Sequence, residues 1–212
     1  MDYNELISHL ETNRIVPVVK LDRVEDAVPL GQALMEGELP VAEVTFRTEA
    51  AEESIRRMSH EFPEMLIGAG TVINTDQAER AVRAGARFLV SPGISDELAQ
   101  WASGRQIPLL PGVCTPSEIM KALSYGMTIL KFFPAAQYGG LPTIKALAGP
   151  FPQVRFMPTG GVSAANICEY LKDPRVIACG GSWMVKDALI REGNFEEITR
   201  LTAEAVSLVK GV

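Results

Sequence analysis

The feature that most constrains the fold is a regular alternation of short apolar runs with segments of helical periodicity. Apolar runs, each suited to one buried strand, occupy residues 15–19, 41–46, 65–70, 87–91, 107–111, 127–133, 154–158 and 176–179. Helical patterns occupy residues 24–35, 50–58, 75–84, 96–103, 116–124, 141–147, 164–171 and 195–209, and an amphipathic segment, Tyr3 to Leu10, precedes the first run. About eight strand–helix units without a linker are typical of a (β/α)8 barrel. The sequence therefore predicts an α/β protein that forms one domain, residues 1–212, as a (β/α)8 TIM barrel with an extra N-terminal helix.

Residues that favour helix ends support these boundaries. Helices are expected to begin at residues whose side chains can accept hydrogen bonds from free backbone N–H groups, namely Asn74, Ser95, Thr115 and Ser163. They are expected to end near Gly37, Gly85, Gly104 and Gly126. A doubly wound open sheet is the structural alternative, but it predicts a glycine-rich turn after the first strand, where this chain has Lys20-Leu21-Asp22-Arg23.

Composition excludes several classes of function. The net charge is −6 at pH 7 without a run of like charges, so nucleic acid is not an expected partner. No apolar stretch is long enough for a membrane span, and the first residues lack the basic start of a signal peptide, so we expect a cytoplasmic protein that does not bind a membrane. The three cysteines form no C-x-x-C pair and there are only two histidines, which predicts reduced thiols and no metal centre.

A lysine interrupts the most apolar of the predicted strands. In the stretch Ile129-Leu130-Lys131-Phe132-Phe133-Pro134, side-chain alternation places Lys131 on the same face as Phe133. Burial disfavours the charged ammonium form of a lysine, and the free amine is the form that attacks a carbonyl to make a Schiff base. The alternative is a structural role, in which the lysine reaches solvent or pairs with a carboxylate.

In a barrel of this kind the active site lies at the carboxyl ends of the strands, where several polar residues are found. Lys20 follows the first strand, and the second carries Glu43, Thr45 and Arg47 on one face, so Glu43 and Arg47 are expected to point inward. The third and fourth strands end near Thr71 and Pro92.

Two glycine-rich segments follow the last two strands, where barrels commonly bind phosphate. They are Gly160-Gly161 and Gly180-Gly181-Ser182. Glycines let backbone N–H groups approach an anion closely, and a helix that starts nearby adds its dipole. Glycines that only make tight turns are the alternative, although two such segments on adjacent loops favour phosphate.

Six segments together resemble the family of 2-keto-3-deoxy-6-phosphogluconate (KDPG) aldolases, which includes bifunctional KDPG/KHG aldolases. The segments are Glu43–Thr48, Gly68–Val72, Ser91–Gly93, Leu130–Pro134, Pro158–Val162 and Gly180–Trp183, and they recur in order over nearly the whole chain. The resemblance implies a class I aldolase without a metal or other cofactor, which splits a keto acid phosphate into pyruvate and glyceraldehyde 3-phosphate in the Entner–Doudoroff pathway. Members of this family are typically homotrimers.

The resemblance also implies a role for individual residues. Lys131 matches the Schiff-base lysine, and Glu43 matches the general acid and base. Arg47 and Thr71 match positions that bind the substrate carboxylate, and Pro92, Phe133 and Thr159 match positions that line the pocket. The positions that match the phosphate site are Gly160, Gly161, Gly181 and Ser182. Lys20 stands where related sequences often carry an arginine, and it is expected to contact substrate.

Other functions on the same fold make different demands on the sequence. A metal-dependent sugar phosphate epimerase or isomerase would need His and Asp ligands at strand ends, which this sequence lacks. A phosphosugar-binding protein without catalysis would not need a buried lysine and glutamate together. Within the aldolases, 2-dehydro-3-deoxy-6-phosphogalactonate and 4-hydroxy-2-oxoglutarate are the competing substrates.

Overall fold

The structure is a computed structural model that describes residues 1–212, with strands and helices in alternation. The strands are β1 Ile15–Val19, β2 Val41–Thr45, β3 Leu66–Gly70, β4 Phe88–Val90, β5 Leu109–Leu110, β6 Gly112–Val113, β7 Ile129–Phe132, β8 Arg155–Pro158 and β9 Cys179–Gly181. The helices are α1 Tyr3–Asn13, α2 Ala27–Glu36, α3 Ala51–Glu61, α4 Thr75–Ala84, α5 Asp96–Arg105, α6 Pro116–Ser124, α7 Gly140–Ala148, α8 Ile167–Leu171, α9 Asp187–Arg191 and α10 Phe195–Val209. The predicted alternation is confirmed, and helix α1 precedes the first strand. None of the helices combines the length and the apolar character needed to cross a lipid bilayer.

All strand pairs are parallel, and neighbours in the sheet follow the order of the chain. One sheet has the order β5-β4-β3-β2-β1-β9, and a second has the order β6-β7-β8. Strands β5 and β6 are separated only by Pro111, which has no N–H to donate to a neighbouring strand. At the other end, isolated bridges from Phe156 to Val176 and from Thr159 to Gly180 connect β8 to the β9 segment. This curled parallel sheet lacks the reversal of strand order that a doubly wound sheet requires.

The register of the strands brings the candidate residues onto one face of the sheet. Glu43 lies between Val18 and Gly68 on the neighbouring strands, and Lys131 lies between Gly112 and Met157. Residues on the opposite face pack toward the helices. There Phe132 and Phe156 are fully buried and meet edge to face, with ring centroids 6.4 Å apart. Alternation along the strands therefore separates a polar interior from an apolar layer under the helices.

Most of the predicted helix ends are found, and two are wrong. Asn74, Ser95 and Thr115 each accept a hydrogen bond from a backbone N–H in the first helical turn, as expected. The residue before α8 is Asn166 rather than Ser163, because residues 164–166 form a separate turn and no helical N–H donates to the Ser163 side chain. Helix α5 continues past Gly104 to Arg105 and ends at Gln106, which adopts the left-handed backbone conformation with φ of 56°.

The last strand also differs from the expectation. Residues 176–179 were expected to form it, whereas β9 spans Cys179–Gly181, so Gly180 and Gly181 lie in the strand instead of in the loop after it. Glycine fits both positions because a Cβ on Gly180 would lie 2.3 Å from Oγ1 of Thr159, and one on Gly181 would lie 2.0 Å from the ring of Trp183. Helix α9, which follows, was not predicted from the sequence.

Candidate active site

Lys131 and Glu43 meet inside the curled sheet. Strand β7 supplies the lysine and strand β2 the glutamate, and Nζ of Lys131 lies 3.4 Å from Oε1 of Glu43. Both residues are almost completely removed from solvent, at 4% and 0% exposure. Nζ of Lys131 is also 5.0 Å from the ring centre of Phe133, as their shared face predicted. The structure thus joins an amine and a carboxylate in a shielded environment, where each strongly affects the other.

A glycine on the neighbouring strand makes room for the carboxylate. Gly70 ends β3 beside Thr45, and a Cβ built on it would lie 2.1 Å from Oε1 and 2.6 Å from Cδ of Glu43. Any side chain at this position would force Glu43 away from Lys131. The Gly68-Ala69-Gly70 segment is recognisable in the sequence, but this function of Gly70 is not, because it depends on a contact between strands.

Glu43 is the least satisfied of the buried carboxylates. Asp26 and Asp173 are the other two, and each of them accepts two hydrogen bonds from the side chain of an arginine. Oε2 of Glu43, in contrast, is buried and has no hydrogen-bond partner within the protein. A carboxylate with one oxygen next to an amine and one oxygen free is suited to accept a proton and pass it on.

Arg47 shares the inward parity of Glu43 but is exposed at the mouth of the site and is not buried beside that carboxylate. Strand β2 ends at Thr45, and the regular alternation of side chains ends with it, which leaves Arg47 exposed on the following turn. Its Nε donates a hydrogen bond of 3.2 Å to Oγ1 of Thr45. Because Thr45 shares a face with Glu43, this bond keeps the guanidinium near the mouth of the site. Side-chain alternation predicts Thr45 on this face but assigns it no role.

The other residues expected to contact substrate lie at the ends of their strands. Thr71 directly follows β3 and is partly buried, in the left-handed conformation with φ of 55°. The ring of Pro92 is exposed, while its carbonyl oxygen lies 2.1 Å from where a Cβ of Gly112 would be. Since Gly112 is the strand neighbour of Lys131, the loop that contains Pro92 approaches the lysine through its backbone.

The two glycine-rich segments come together at one edge of the site. Thr159 is buried and bridges to Gly180, which joins the end of β8 to β9. Gly160 and Gly161 have φ of 94° and 79°, values that favour glycine. The backbone N–H groups of Gly160, Gly161 and Ser182 donate no hydrogen bond to another backbone group, so this edge carries several free donors. Helices α8 and α9 begin only at Ile167 and Asp187, so loop amides and not an adjacent helix end provide the donors here.

Lys20 is held by acidic residues. Its Nζ lies 2.7 Å from Asp22 and 4.0 Å from Asp187. The hydrogen bond from Lys20 lowers the pKa of Asp22 from its ordinary value. The lysine thus connects the end of β1 to the start of α9, beside the segment that contains Ser182. Asp22 and Asp187 were not identified from the sequence. The available signal for Asp187 is the preference of acidic residues for the first turn of a helix.

A large surface cavity lies away from these groups. It measures about 720 Å³ and lies at the amino ends of the strands, between the first residues of the chain, the end of α5 and the end of α6. Lys131 and Glu43 are not among its lining residues. Elsewhere, no three His, Cys, Asp or Glu side chains are grouped so that they could hold a metal ion. Chemistry, and not cavity size, therefore identifies the candidate site.

Comparison with known proteins gives a consistent result along the chain. The family model described as "KDPG and KHG aldolase" matches residues 6–201. The 2-dehydro-3-deoxy-phosphogluconate aldolase of Treponema pallidum is 46% identical over 200 residues, which cover 94% of this chain and 95% of the relative.

Solved structures agree. The KDPG aldolase of Legionella pneumophila, with pyruvate captured at low pH as a covalent carbinolamine intermediate, has a TM-score of 0.91 and 44% identity, covering 94% of this chain and 97% of that one. The 2-keto-3-deoxy-6-phosphogluconate aldolase of Zymomonas mobilis, with 3-phosphoglycerate, has a TM-score of 0.90 and 39% identity, covering 97% of this chain and 96% of that one.

Proposed function

The chain belongs to the family of KDPG and KHG aldolases, and we propose that it is a class I aldolase that cleaves 2-dehydro-3-deoxy-6-phosphogluconate to pyruvate and D-glyceraldehyde 3-phosphate, as in the Entner–Doudoroff pathway. This activity makes it a lyase of the aldehyde-lyase type. The observation that carries the proposal is the buried amine of Lys131, 3.4 Å from a carboxylate whose second oxygen is unpartnered.

Lys131 forms the protonated imine that accepts electrons during cleavage. Its free amine attacks the keto carbon at C2 to form a carbinolamine, which loses water to become a protonated imine. The attack requires the neutral form of this amine, which lies shielded from solvent inside the sheet. The carbinolamine of pyruvate captured in the Legionella pneumophila aldolase supports the same first step here.

Glu43 carries the protons. In the cleavage step it removes the proton from the C4 hydroxyl, the C3–C4 bond breaks, and the electron pair of that bond moves into the imine to give an enamine. C4 leaves as the aldehyde carbon of glyceraldehyde 3-phosphate. Protonation of the enamine at C3 and hydrolysis of the imine then release pyruvate and restore the free lysine. One carboxylate serves each transfer, which agrees with its single contact to Lys131 and its free second oxygen.

Groups around the mouth bind the two ends of the substrate. Arg47 and Thr71 bind the carboxylate, which a guanidinium can grip through two parallel hydrogen bonds. Pro92, Phe133 and Thr159 line the space between the ends. The phosphate is held by Gly160, Gly161, Gly181 and Ser182, a role supported by the free N–H groups of this edge. Lys20, fixed by Asp22 and Asp187, contacts the phosphorylated half from the neighbouring loop.

4-Hydroxy-2-oxoglutarate is a second substrate. It offers the same keto acid end and a hydroxyl at C4, so the chemistry at Lys131 and Glu43 is unchanged. The family description, which names both activities, supports this assignment.

The remaining parts of the proposal concern architecture and assembly. We assign the chain a single domain, residues 1–212, in which β5 and β6 count as one interrupted strand of a closed (β/α)8 TIM barrel with α1 as the extra helix. The strand order and the bridges between β8 and β9 support closure. A homotrimer in the cytoplasm, with the keto acid phosphate as its small-molecule partner, follows from the family resemblance. Light scattering that gives a mass other than three times 23.0 kDa would contradict the trimer.

The decisive test is borohydride reduction in the presence of pyruvate, followed by intact mass measurement and peptide mapping. We expect a stable adduct on Lys131, its absence in Lys131→Ala, and its persistence in Lys20→Ala. No adduct on any lysine of the folded protein, with pyruvate in excess, would overturn the aldolase assignment.

A further inference from the structure

Thr45 lies at the mouth of the site and links two of its parts. It is the last residue of β2, is 1% exposed, and shares the inward face with Glu43. Its hydroxyl donates a hydrogen bond of 2.9 Å to the carbonyl of Val19, the last residue of β1. The same oxygen accepts the 3.2 Å bond from Nε of Arg47. A chain of two hydrogen bonds therefore connects an exposed guanidinium to the buried end of a neighbouring strand.

The polarity of this chain is fixed. A threonine hydroxyl has one hydrogen, and because that hydrogen is directed to Val19, only lone pairs remain for Arg47. A guanidinium can only donate, so it matches these lone pairs. Nε is thereby occupied, whereas both terminal nitrogens of Arg47 stay available for a planar carboxylate. A long exposed side chain otherwise loses rotamer freedom when it binds, and a tether reduces that loss before ligand arrives.

We propose that Thr45 is a positioning residue for carboxylate recognition, whose hydroxyl holds Arg47 over the mouth in the orientation that binds the carboxylate of the keto acid. The inference rests on the proposed function, because it needs a keto acid that reacts with Lys131. Thr45 thereby affects the affinity for the substrate carboxylate without touching the substrate.

The turn after β2 contains a residue, Thr48, that serves as a matched control for Thr45. Thr48 donates a hydrogen bond of 2.5 Å to the carbonyl of Leu21. It therefore anchors the turn to the segment after β1 in the same way as Thr45, but it has no hydrogen bond with Arg47. Replacement of either threonine by valine removes one hydroxyl-to-carbonyl bond, and only the replacement of Thr45 frees the guanidinium.

The experiment measures the pyruvate concentration that gives half-maximal borohydride trapping on Lys131. We expect Thr45→Val to raise this concentration about tenfold, the effect of one lost hydrogen bond on a charged contact, with full trapping at saturation. Thr45→Ser, which keeps the hydroxyl, should restore the wild-type value, and Thr48→Val should leave it unchanged. With methyl pyruvate, which has the carbonyl but no carboxylate, Thr45→Val should behave as wild type.

Three results would overturn the inference while the proposed function stands. They are an unchanged half-saturating pyruvate concentration in Thr45→Val, equal losses in Thr45→Val and Thr45→Ser, and an equal shift with pyruvate and methyl pyruvate. If Thr45→Val does not fold, Thr45→Ala replaces it in the same assay, because it removes the hydroxyl without adding volume. Absence of trapping in the wild type would instead overturn the proposed function itself.

Discussion

Two ion pairs that contain a buried carboxylate are built in opposite ways in this molecule. Between α8 and β9, Asp173 accepts two side-chain hydrogen bonds of 2.6 Å from Arg175 and one of 3.1 Å from its backbone N–H. Inside the curled sheet, Glu43 has a single contact of 3.4 Å to Lys131, and its second oxygen has no partner. The hydrogen bonds of the first pair are short and satisfy both carboxylate oxygens, whereas the contact in the second pair is long and leaves one carboxylate oxygen without a partner.

The difference distinguishes a structural pair from a chemical one. Buried charges are costly unless hydrogen bonds satisfy them, and Asp173 meets that condition. The bonds from Arg175 lower the pKa of Asp173 from its ordinary value, so this carboxylate remains charged. Glu43 and Lys131 lack such saturation, and this leaves both groups able to exchange partners and protons during a reaction. The geometry therefore argues against the purely structural role that the sequence left open for Lys131.

Removal of the lysine is the strongest test of this contrast. Lys131→Ala eliminates the amine that we propose forms the imine, so we expect cleavage to fall by about 10⁵-fold or more, as for other covalent nucleophiles. A coupled assay for pyruvate release, with circular dichroism as a check of folding, measures the loss. Turnover that persists by Schiff-base chemistry would move the role to Lys20 and remove Lys131 from the chemical pair.

Neutralisation of the carboxylate tests the other partner. Glu43→Gln keeps the shape that fits beside Gly70 but cannot take up a proton, so kcat should fall about 10²–10⁴-fold. Steady-state kinetics and thermal unfolding of the same variant separate catalysis from folding. A kcat near the wild-type value would exclude Glu43 from the mechanism.

For the saturated pair the prediction is reversed, with an effect on stability and none on catalysis. Asp173→Asn should reduce the free energy of unfolding at pH 7 by about 2 kcal/mol through the loss of charged hydrogen bonds, and kcat should not change. Urea unfolding of both proteins measures the difference. A loss of kcat without a loss of stability would contradict the structural role.

The same variant gives a pH test. The pKa of Asp173 is lower in the folded protein, so its stabilising effect is complete above the unfolded value of about 3.9 and is lost as the pH falls through the lower folded value. The gap in stability between wild type and Asp173→Asn should therefore be constant from about pH 7 to pH 5 and should shrink below about pH 4. A gap that widens in acid would contradict this assignment.

The smallest expected effect lies outside both pairs. Ser182 is exposed at the glycine-rich edge, where solvent weakens each contact. Ser182→Ala should raise KM for the phosphorylated substrate by about two- to tenfold, the effect of one hydrogen bond. KM for 4-hydroxy-2-oxoglutarate should not change. Equal losses on the two substrates would place the phosphate elsewhere.

The sequence was most informative where strands are regular. Glu43 and Lys131 lie within β2 and β7, where the alternation of side chains holds, and the contact between them is consistent with the predicted faces. The exposure of Arg47 could not be predicted, because β2 ends at Thr45 and the end of a short strand depends on pairing with its neighbour.

Contacts between distant segments gave no local signal. The clearance that Gly70 provides for Glu43 arises from strand register, and the pairing of Lys20 with Asp187 needs a helix that periodicity did not reveal. Strand β9 lies further along the chain than predicted and includes Gly180 and Gly181. These glycines fit against Thr159 and Trp183, and this tertiary effect outweighs their low strand propensity.

The weakly paired junction between β8 and β9 has a thermodynamic consequence. Strand β8 belongs to the three-stranded sheet and β9 to the six-stranded one, and only isolated bridges connect them. The free N–H groups of Gly160 and Gly161 lie on one side of this junction, and that of Ser182 lies on the other. A phosphate bound by both sides would act as a crosslink between the two sheets. Substrate that binds only the folded protein would then raise its melting temperature by an amount that grows with the logarithm of the substrate concentration above the dissociation constant, and binding at the site would be coupled to cohesion of the whole fold.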